Sequence, residues 1–297
     1  MSRQIVRTDD SAELSVEVFG SSFAPTTVVF THGWTLAGRL WDDVVAGLHR
    51  DLGDDIRTVT YDARGHGLST SGPAGSATLP RLAADLKSVI EVCAPSGDLV
   101  LVGHSLGGMT LMALAENWPR LLAERVVGAV FACTSSGKIW APVKYVPGFI
   151  AASPWVLRLN RPKMMRSTSL TRLGMRFGLY GGKASRSHLE DTIEQMRLAD
   201  PGVVADLGKA LLLHERDHVL PYFDSIPTVV LTGANDHLTP ARHGRRIAES
   251  IDGALLIDEP GAGHMVPHER SSVVVREVGV LVRSGNAAAR TLRAIPA

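Results

Sequence analysis

Apolar residues recur along this chain in short, nearly unbroken runs: Thr27–Thr31, Ile56–Tyr61, Leu99–Gly103, Val126–Ala132, Ile226–Leu231 and Leu255–Ile257. Runs this short, with little polar alternation, suit strands covered on both faces. Residues 12–19 alternate instead, the pattern of an antiparallel edge strand. Between the runs the apolar period lengthens to that of a helix over Leu79–Cys93, from the 103–108 turn to Trp118, and at about 240–251 and 267–283. Pro119 stops the second of these helices, because proline disfavours helical backbone in the residue before it. Strands alternating with helices predict an α/β fold, a mostly parallel central sheet flanked by helices. From Ser284 onward the apolar period fades, and residues 285–297 are expected to form a loose tail.

The rhythm breaks between 135 and 205. No buried strand is legible there, and Pro142, Pro147, Pro154 and Pro162 interrupt helical patterns. Between Arg125 and Glu190 there is no acidic residue. Ten basic ones occur: Lys138, Lys144, Arg158, Arg161, Lys163, Arg166, Arg172, Arg176, Lys183 and Arg186. Trp140, Phe149, Trp155, Met164, Met165, Met175 and Phe177 lie among these cations. The expected organisation is a core built from 1–134 and 206–284, with 135–205 inserted between two strands as a helical cap. The charge run has two readings. It is a solvated helical face, or it is a lid that meets long acyl chains or an anionic lipid interface. In the second case Lys and Arg stems lie along apolar surface while their heads stay wet.

Composition narrows the class. A chain of 297 residues with 45 % hydrophobic residues can bury a large core, and a net charge of +1 leaves no general nucleic-acid footprint. Cys93 and Cys133 show no close pairing pattern, which argues against a disulfide framework or a cysteine zinc site. The N-terminus lacks the apolar stretch of a signal peptide, and no run approaches the ~20 apolar residues that span a bilayer. A cytoplasmic protein is expected.

Candidate chemistry lies just past the strands. Gly103-His104-Ser105-Leu106-Gly107-Gly108 follows an apolar run and opens a helix. In that context Gly-x-Ser-x-Gly is a nucleophile elbow, which lifts a serine hydroxyl to the top of a sheet. The competing reading is a serine that merely caps its helix. A serine nucleophile needs a base within hydrogen-bond reach, and the base needs an orienting acid. Asp236 follows the run at 226–231, and His264 follows the run at 255–257, with His268 nearby as a substitute base. Both loops open at the carboxyl edge of a parallel sheet, where open α/β sheets place their ligands. A second motif, His214-Glu215-Arg216-Asp217-His218, matches a zinc-protease pattern, and on a helix His214 and His218 would share a face. Leu220-Pro221 would end that helix at once, and no third ligand of recognisable spacing follows.

Five segments occur in order, each after an apolar run: His32-Gly33-Trp34, Asp62-Ala63-Arg64-Gly65-His66-Gly67, Gly103–Gly108, Gly233–Asp236 and Gly263-His264. Over roughly residues 12–284 the chain resembles the α/β-hydrolase superfamily, in its capped, serine-nucleophile, esterase- or lipase-like form. The resemblance implies that Ser105 attacks a carbonyl carbon, His264 is the base and Asp236 orients it. The backbone N–H groups of Trp34 and Leu106 would form the oxyanion hole. His32 and Arg64 resemble residues that brace the oxyanion loop and the neighbouring turn, while His104 has no assigned role. Serine in place of aspartate at the elbow departs from haloalkane dehalogenases and epoxide hydrolases of this fold. Ala132-Cys133-Thr134-Ser135 carries no acid at the alternative acid position, which favours Asp236. The implied substrate is a small-molecule or lipid-like ester, with no cofactor or metal. Perhydrolase, haloperoxidase-like, thioesterase, lactonase and C–C hydrolase chemistry stay open, as does a ligand-binding protein on this scaffold.

Overall fold

The computed structural model describes residues 2–139, 169–182 and 184–293. Among them, eight strands form one sheet: β1 (Ser2–Arg7), β2 (Glu13–Gly20), β3 (Thr26–Thr31), β4 (Ile56–Tyr61), β5 (Asp98–His104), β6 (Val126–Ala132), β7 (Thr228–Gly233) and β8 (Leu255–Glu259). Their order is β1-β2-β4-β3-β5-β6-β7-β8. β2 runs antiparallel to both neighbours, and every pairing from β4 to β8 is parallel.

The alternation hidden inside each apolar run divides the core in two. Val28, Phe30, Val100, Val102, Val130 and Ala132 face one layer. That layer holds Val44, Val45 and Leu48 of α1 (Asp42–Leu52) and Val274, Val278 and Leu281 of α10 (Ser271–Arg293). Val29, Leu101, Ala129 and Phe131 face the other, against Leu82, Leu86 and Val89 of α2 (Leu79–Cys93) and Leu111 and Met112 of α3 (Leu106–Asn117). Both faces are therefore dry, and that is why these strands read as unbroken apolar runs.

Several expectations shift. The alternating segment at 12–19 is one strand in from the edge, because β1 pairs outside it. β1 gives little sequence signal, since only Val6 in it is buried. Likewise β8 is the far edge rather than a buried strand, and Leu255 is half exposed. Pro227, which has no N–H to give a ladder, precedes β7. Residues 285–293 are not a loose tail: α10 runs on to Arg293, and buried Asn286 accepts a hydrogen bond from Thr26 Oγ1 at 2.6 Å.

α4 (Pro119–Arg125) leads into β6 and α8 (Arg242–Glu249) lies between β7 and β8; between β6 and β7 the described residues form α5 (Ser169–Gly178), α6 (Arg186–Leu198) and α7 (Pro201–Leu212). α7 crosses the expected 205/206 boundary in one helix. Asp200 caps it, accepting from the N–H groups of Gly202 and Val203, with Pro201 at its first turn. Of the cap features read from sequence, the aromatic and methionine positions from 140 to 165, the four prolines, Lys144, Arg158, Arg161, Lys163, Arg166 and Lys183 lie outside the described residues. The insertion leaves and re-enters the core through a narrow neck. Gly137 and Glu215 form an antiparallel bridge, and the Arg216 N–H donates to the Ser136 carbonyl at 2.6 Å. Among the described residues no helix is long and apolar enough to cross a membrane.

Candidate active site

Four loops at the carboxyl ends of β3, β5, β7 and β8 surround one cavity of about 180 Å³, which Trp34, Ser105 and His264 line. At the end of β5 the chain turns so tightly that Ser105 sits at φ 52°, ψ −116°. A non-glycine residue in this region is strained and persists only where its surroundings hold it. Here the Ser105 N–H donates to the Ala132 carbonyl (2.9 Å), and Thr134 Oγ1 donates to the Ser105 carbonyl (2.7 Å). The flanking glycines are steric necessities. A Cβ on Gly103 would lie 2.6 Å from the Gly108 nitrogen, and one on Gly107 would lie 2.3 Å from the Thr31 carbonyl oxygen.

His264 lies beyond β8, and its Nδ1–H donates to Asp236 Oδ2 at 2.8 Å. Asp236, beyond β7, is buried but well solvated by the protein. Its Oδ1 accepts from the Leu238 and Thr239 N–H groups (2.8 and 2.9 Å), and Thr239 Oγ1 lies 2.8 Å from Oδ2. Burial alone would raise the Asp236 pKa; the neighbouring imidazole and these hydrogen bonds outweigh it and hold the carboxyl well below the usual carboxylate range. An ionised Asp236 fixes the His264 proton on Nδ1 and leaves Nε2 as the basic nitrogen. Both Ser105 and His264 line the cavity.

The cavity is almost entirely apolar. Met109, Leu238 and Met265 come from the core, and Leu179, Met196, Val204 and Leu211 come from the stretch between β6 and β7. Trp34, just past β3, lines it too. Among the described residues the Trp34 N–H is spent on no backbone hydrogen bond. Leu106 opens α3, and a first-turn N–H has no acceptor within its helix.

Two histidines brace the loop that carries Trp34. The His32 Nδ1–H donates to the Gly33 carbonyl (2.8 Å), and its Nε2 accepts from the Ala63 N–H (2.9 Å). His66 Nε2 accepts from the Thr35 N–H (3.1 Å). Burial pushes the His32 pKa down to about 4. Beneath them Arg64 is fully buried and forked twice, to Asp85 (2.6 and 2.8 Å) and to Asp10 (2.8 and 3.1 Å). His104, unassigned from sequence, donates from Nε2 to the His264 carbonyl at 2.8 Å; burial and the adjacent His264 push its pKa down to about 3. His268, the alternative base read from sequence, is not among the residues that line the cavity: its Nδ1 meets Tyr180 Oη at 2.9 Å and its ring stacks on His188.

The zinc-like motif is dispersed. α7 ends at Leu212, so residues 214–218 are not on an α-helix. His214 is buried and donates to the Ser135 carbonyl, whereas exposed His218 pairs with Glu116. Sequence reasoning also missed Thr239 and Gln195. The spacing Asp236–Thr239 is a capping pattern and gave a local signal. Gln195, whose Oε1 accepts from the Ala37 N–H at 2.8 Å across the insertion, gave none.

A model described as "Alpha/beta hydrolase family" matches residues 28–277, and the chain belongs to that family of hydrolases. It is 28 % identical over 268 residues to the pimeloyl-[acyl-carrier protein] methyl ester esterase of Chromobacterium violaceum, an alignment spanning 88 % of this chain and 95 % of that one. A thermophilic esterase from Thermogutta terrifontis shares the fold with a TM-score of 0.73 at 23 % identity, covering 96 % of this chain and 99 % of its own. A bromoperoxidase from Bacillus anthracis superposes at 0.76 and 20 % identity, covering 95 % and 100 %.

Proposed function

We propose that this hydrolase cleaves carboxylic esters of small or lipid-like molecules through an acyl-enzyme on Ser105. The observation that carries the reading is the Asp236–His264 pair, 2.8 Å apart, at the wall of an apolar cavity that Ser105 shares. His264 Nε2 takes the Ser105 proton as Oγ attacks the ester carbonyl carbon. The N–H groups of Trp34 and Leu106 receive the oxyanion, each such donor being worth about 3–4 kcal/mol in the transition state. His264 then protonates the leaving alcohol, and a water, activated by the same nitrogen, releases the acid. The likeness to a methyl ester esterase supports ester chemistry, and an apolar cavity supports an aliphatic acyl group. Residues 135–205 act as a cap over it.

The test is hydrolysis of p-nitrophenyl esters from acetate to palmitate by wild type and Ser105→Ala. Ser105-dependent turnover is expected, and its chain-length optimum gives the acyl pocket. Turnover that survives in Ser105→Ala refutes the reading. The cap also meets anionic lipid: α5 exposes Leu173 (52 %) and Phe177 (62 %) beside Arg172 and Arg176. Sedimentation with anionic liposomes that weakens with salt is the expected result; none at low salt refutes the lipid contact.

A further inference from the structure

The loop that carries His264 is held from the insertion as well as from the sheet. The His264 N–H donates to the Leu179 carbonyl at 2.6 Å. Glu269, in the short helix α9 (Val266–Glu269), spans the junction. Its Oε1 accepts from the Gly263 N–H at 2.9 Å, and its Oε2 accepts from the Gly181 N–H at 2.7 Å. The two backbones touch with no room between them. A Cβ on Gly181 would lie 1.9 Å from the Gly261 carbonyl oxygen, and one on Gly263 would lie 2.4 Å from the Tyr180 carbonyl carbon. One carboxylate thus joins the residue before His264 to the segment that follows α5.

Leu179 lines the cavity, and its carbonyl holds His264. An acyl group in the cavity and the backbone of the base therefore share one residue. We propose that Glu269 is a positioning residue for His264, a clamp through which the insertion sets the placement of the base. This rests on the triad reading given above. Bridging needs two acceptor oxygens. Glutamine keeps one and turns an NH₂ toward the other N–H, so Glu269→Gln releases one side of the clamp at nearly constant volume. Misplacement of a reacting group on the ångström scale costs up to about a hundredfold in rate.

The experiment compares wild type, Glu269→Gln and Leu179→Ala on p-nitrophenyl butyrate. Thermal unfolding and the downfield ¹H resonance of the His264 Nδ1–H are followed in parallel. That resonance is assigned by its loss in His264→Ala. For Glu269→Gln the expected result is a kcat lower by about ten- to a hundredfold, KM within about twofold, and a shifted or broadened His264 proton. Leu179→Ala keeps its carbonyl and is expected to move KM instead. An unchanged kcat in Glu269→Gln, or a His264 proton that stays put while turnover falls, overturns the proposal. Where Glu269→Gln does not fold, Glu269→Asp withdraws the carboxylate by one methylene and is read the same way. Turnover retained in Ser105→Ala would sink the triad reading alone; the His264 proton still reports whether Glu269 holds the loop.

Discussion

Replacing Asp236 with asparagine isolates the electrostatic part of the site. The new side chain fits the old space. Its Oδ1 still accepts from the Leu238 and Thr239 N–H groups, and Thr239 Oγ1 can donate to the Cys133 carbonyl, 2.8 Å away. No buried group is orphaned, so the fold should hold. What changes lies opposite His264. An NH₂ now stands where Oδ2 accepted the Nδ1–H at 2.8 Å. The imidazole must then present Nδ1 as an acceptor and carry its proton on Nε2, facing Ser105 with no basic nitrogen. The attraction lost between an imidazolium and a carboxylate at about 3–4 Å is about 4–6 kcal/mol at an effective dielectric near 20. That corresponds to roughly 10³–10⁴ in rate, the range a wrong tautomer produces in serine hydrolases. Initial rates on a p-nitrophenyl ester, with unfolding curves alongside, give kcat and integrity together. An Asp236→Asn enzyme that is folded and keeps a tenth of its kcat would refute the assignment of Asp236.

Three further outcomes follow from the braces around the site. Removing Arg64 as Arg64→Met leaves buried Asp85 with Arg81 Nε, 3.2 Å away, as its remaining cation, and should cost about 3–5 kcal/mol in urea unfolding; an unchanged midpoint would show that the forked pairs contribute nothing. His32 is held neutral when folded, with a pKa of about 4 against 6.5. Its contribution is complete above about pH 6.5, is lost as pH falls toward about 4, and levels off below, on the order of 3 kcal/mol in all. Unfolding free energies at pH 7.5 and 4.5 should therefore fall more steeply with acid in wild type than in His32→Gln, and equal slopes would contradict this. Gly107→Ala puts a methyl 2.3 Å from the Thr31 carbonyl oxygen and should abolish soluble, folded enzyme; full activity there would mean the elbow is looser than described.

What could be read from the sequence was set by which contacts are local. β3, β5 and β6 announce themselves because both faces of each are dry. β1 does not, since five of its six residues are wholly or partly exposed and its pairing with β2 carries it. Ser105, Asp236 and His264 were legible because each follows its strand within a few residues, and strand ends in a parallel sheet share one edge. Gln195, Tyr180 and Glu269 were not. Their partners at Ala37, His268 and Gly181 lie far along the chain, and no pattern within one segment records a contact between two. Polar residues hid the end of α10 in the same way, because Asn286 is buried by pairing with Thr26 rather than by being apolar.

The neck at Gly137 and Glu215 bears on how such a chain can diversify. A segment whose two ends are already bridged can lengthen or shrink at little entropic cost, about 0.6 kcal/mol for each doubling. The sheet would not register the change. An exchanged insertion would still have to supply what the core borrows from this one: a carbonyl for the His264 N–H, an acceptor for the Ala37 N–H and a partner for Glu269. Grafts that import those three contacts with the new helices should keep turnover while changing the acyl group. Grafts chosen for pocket shape alone should fold, bind and stay slow.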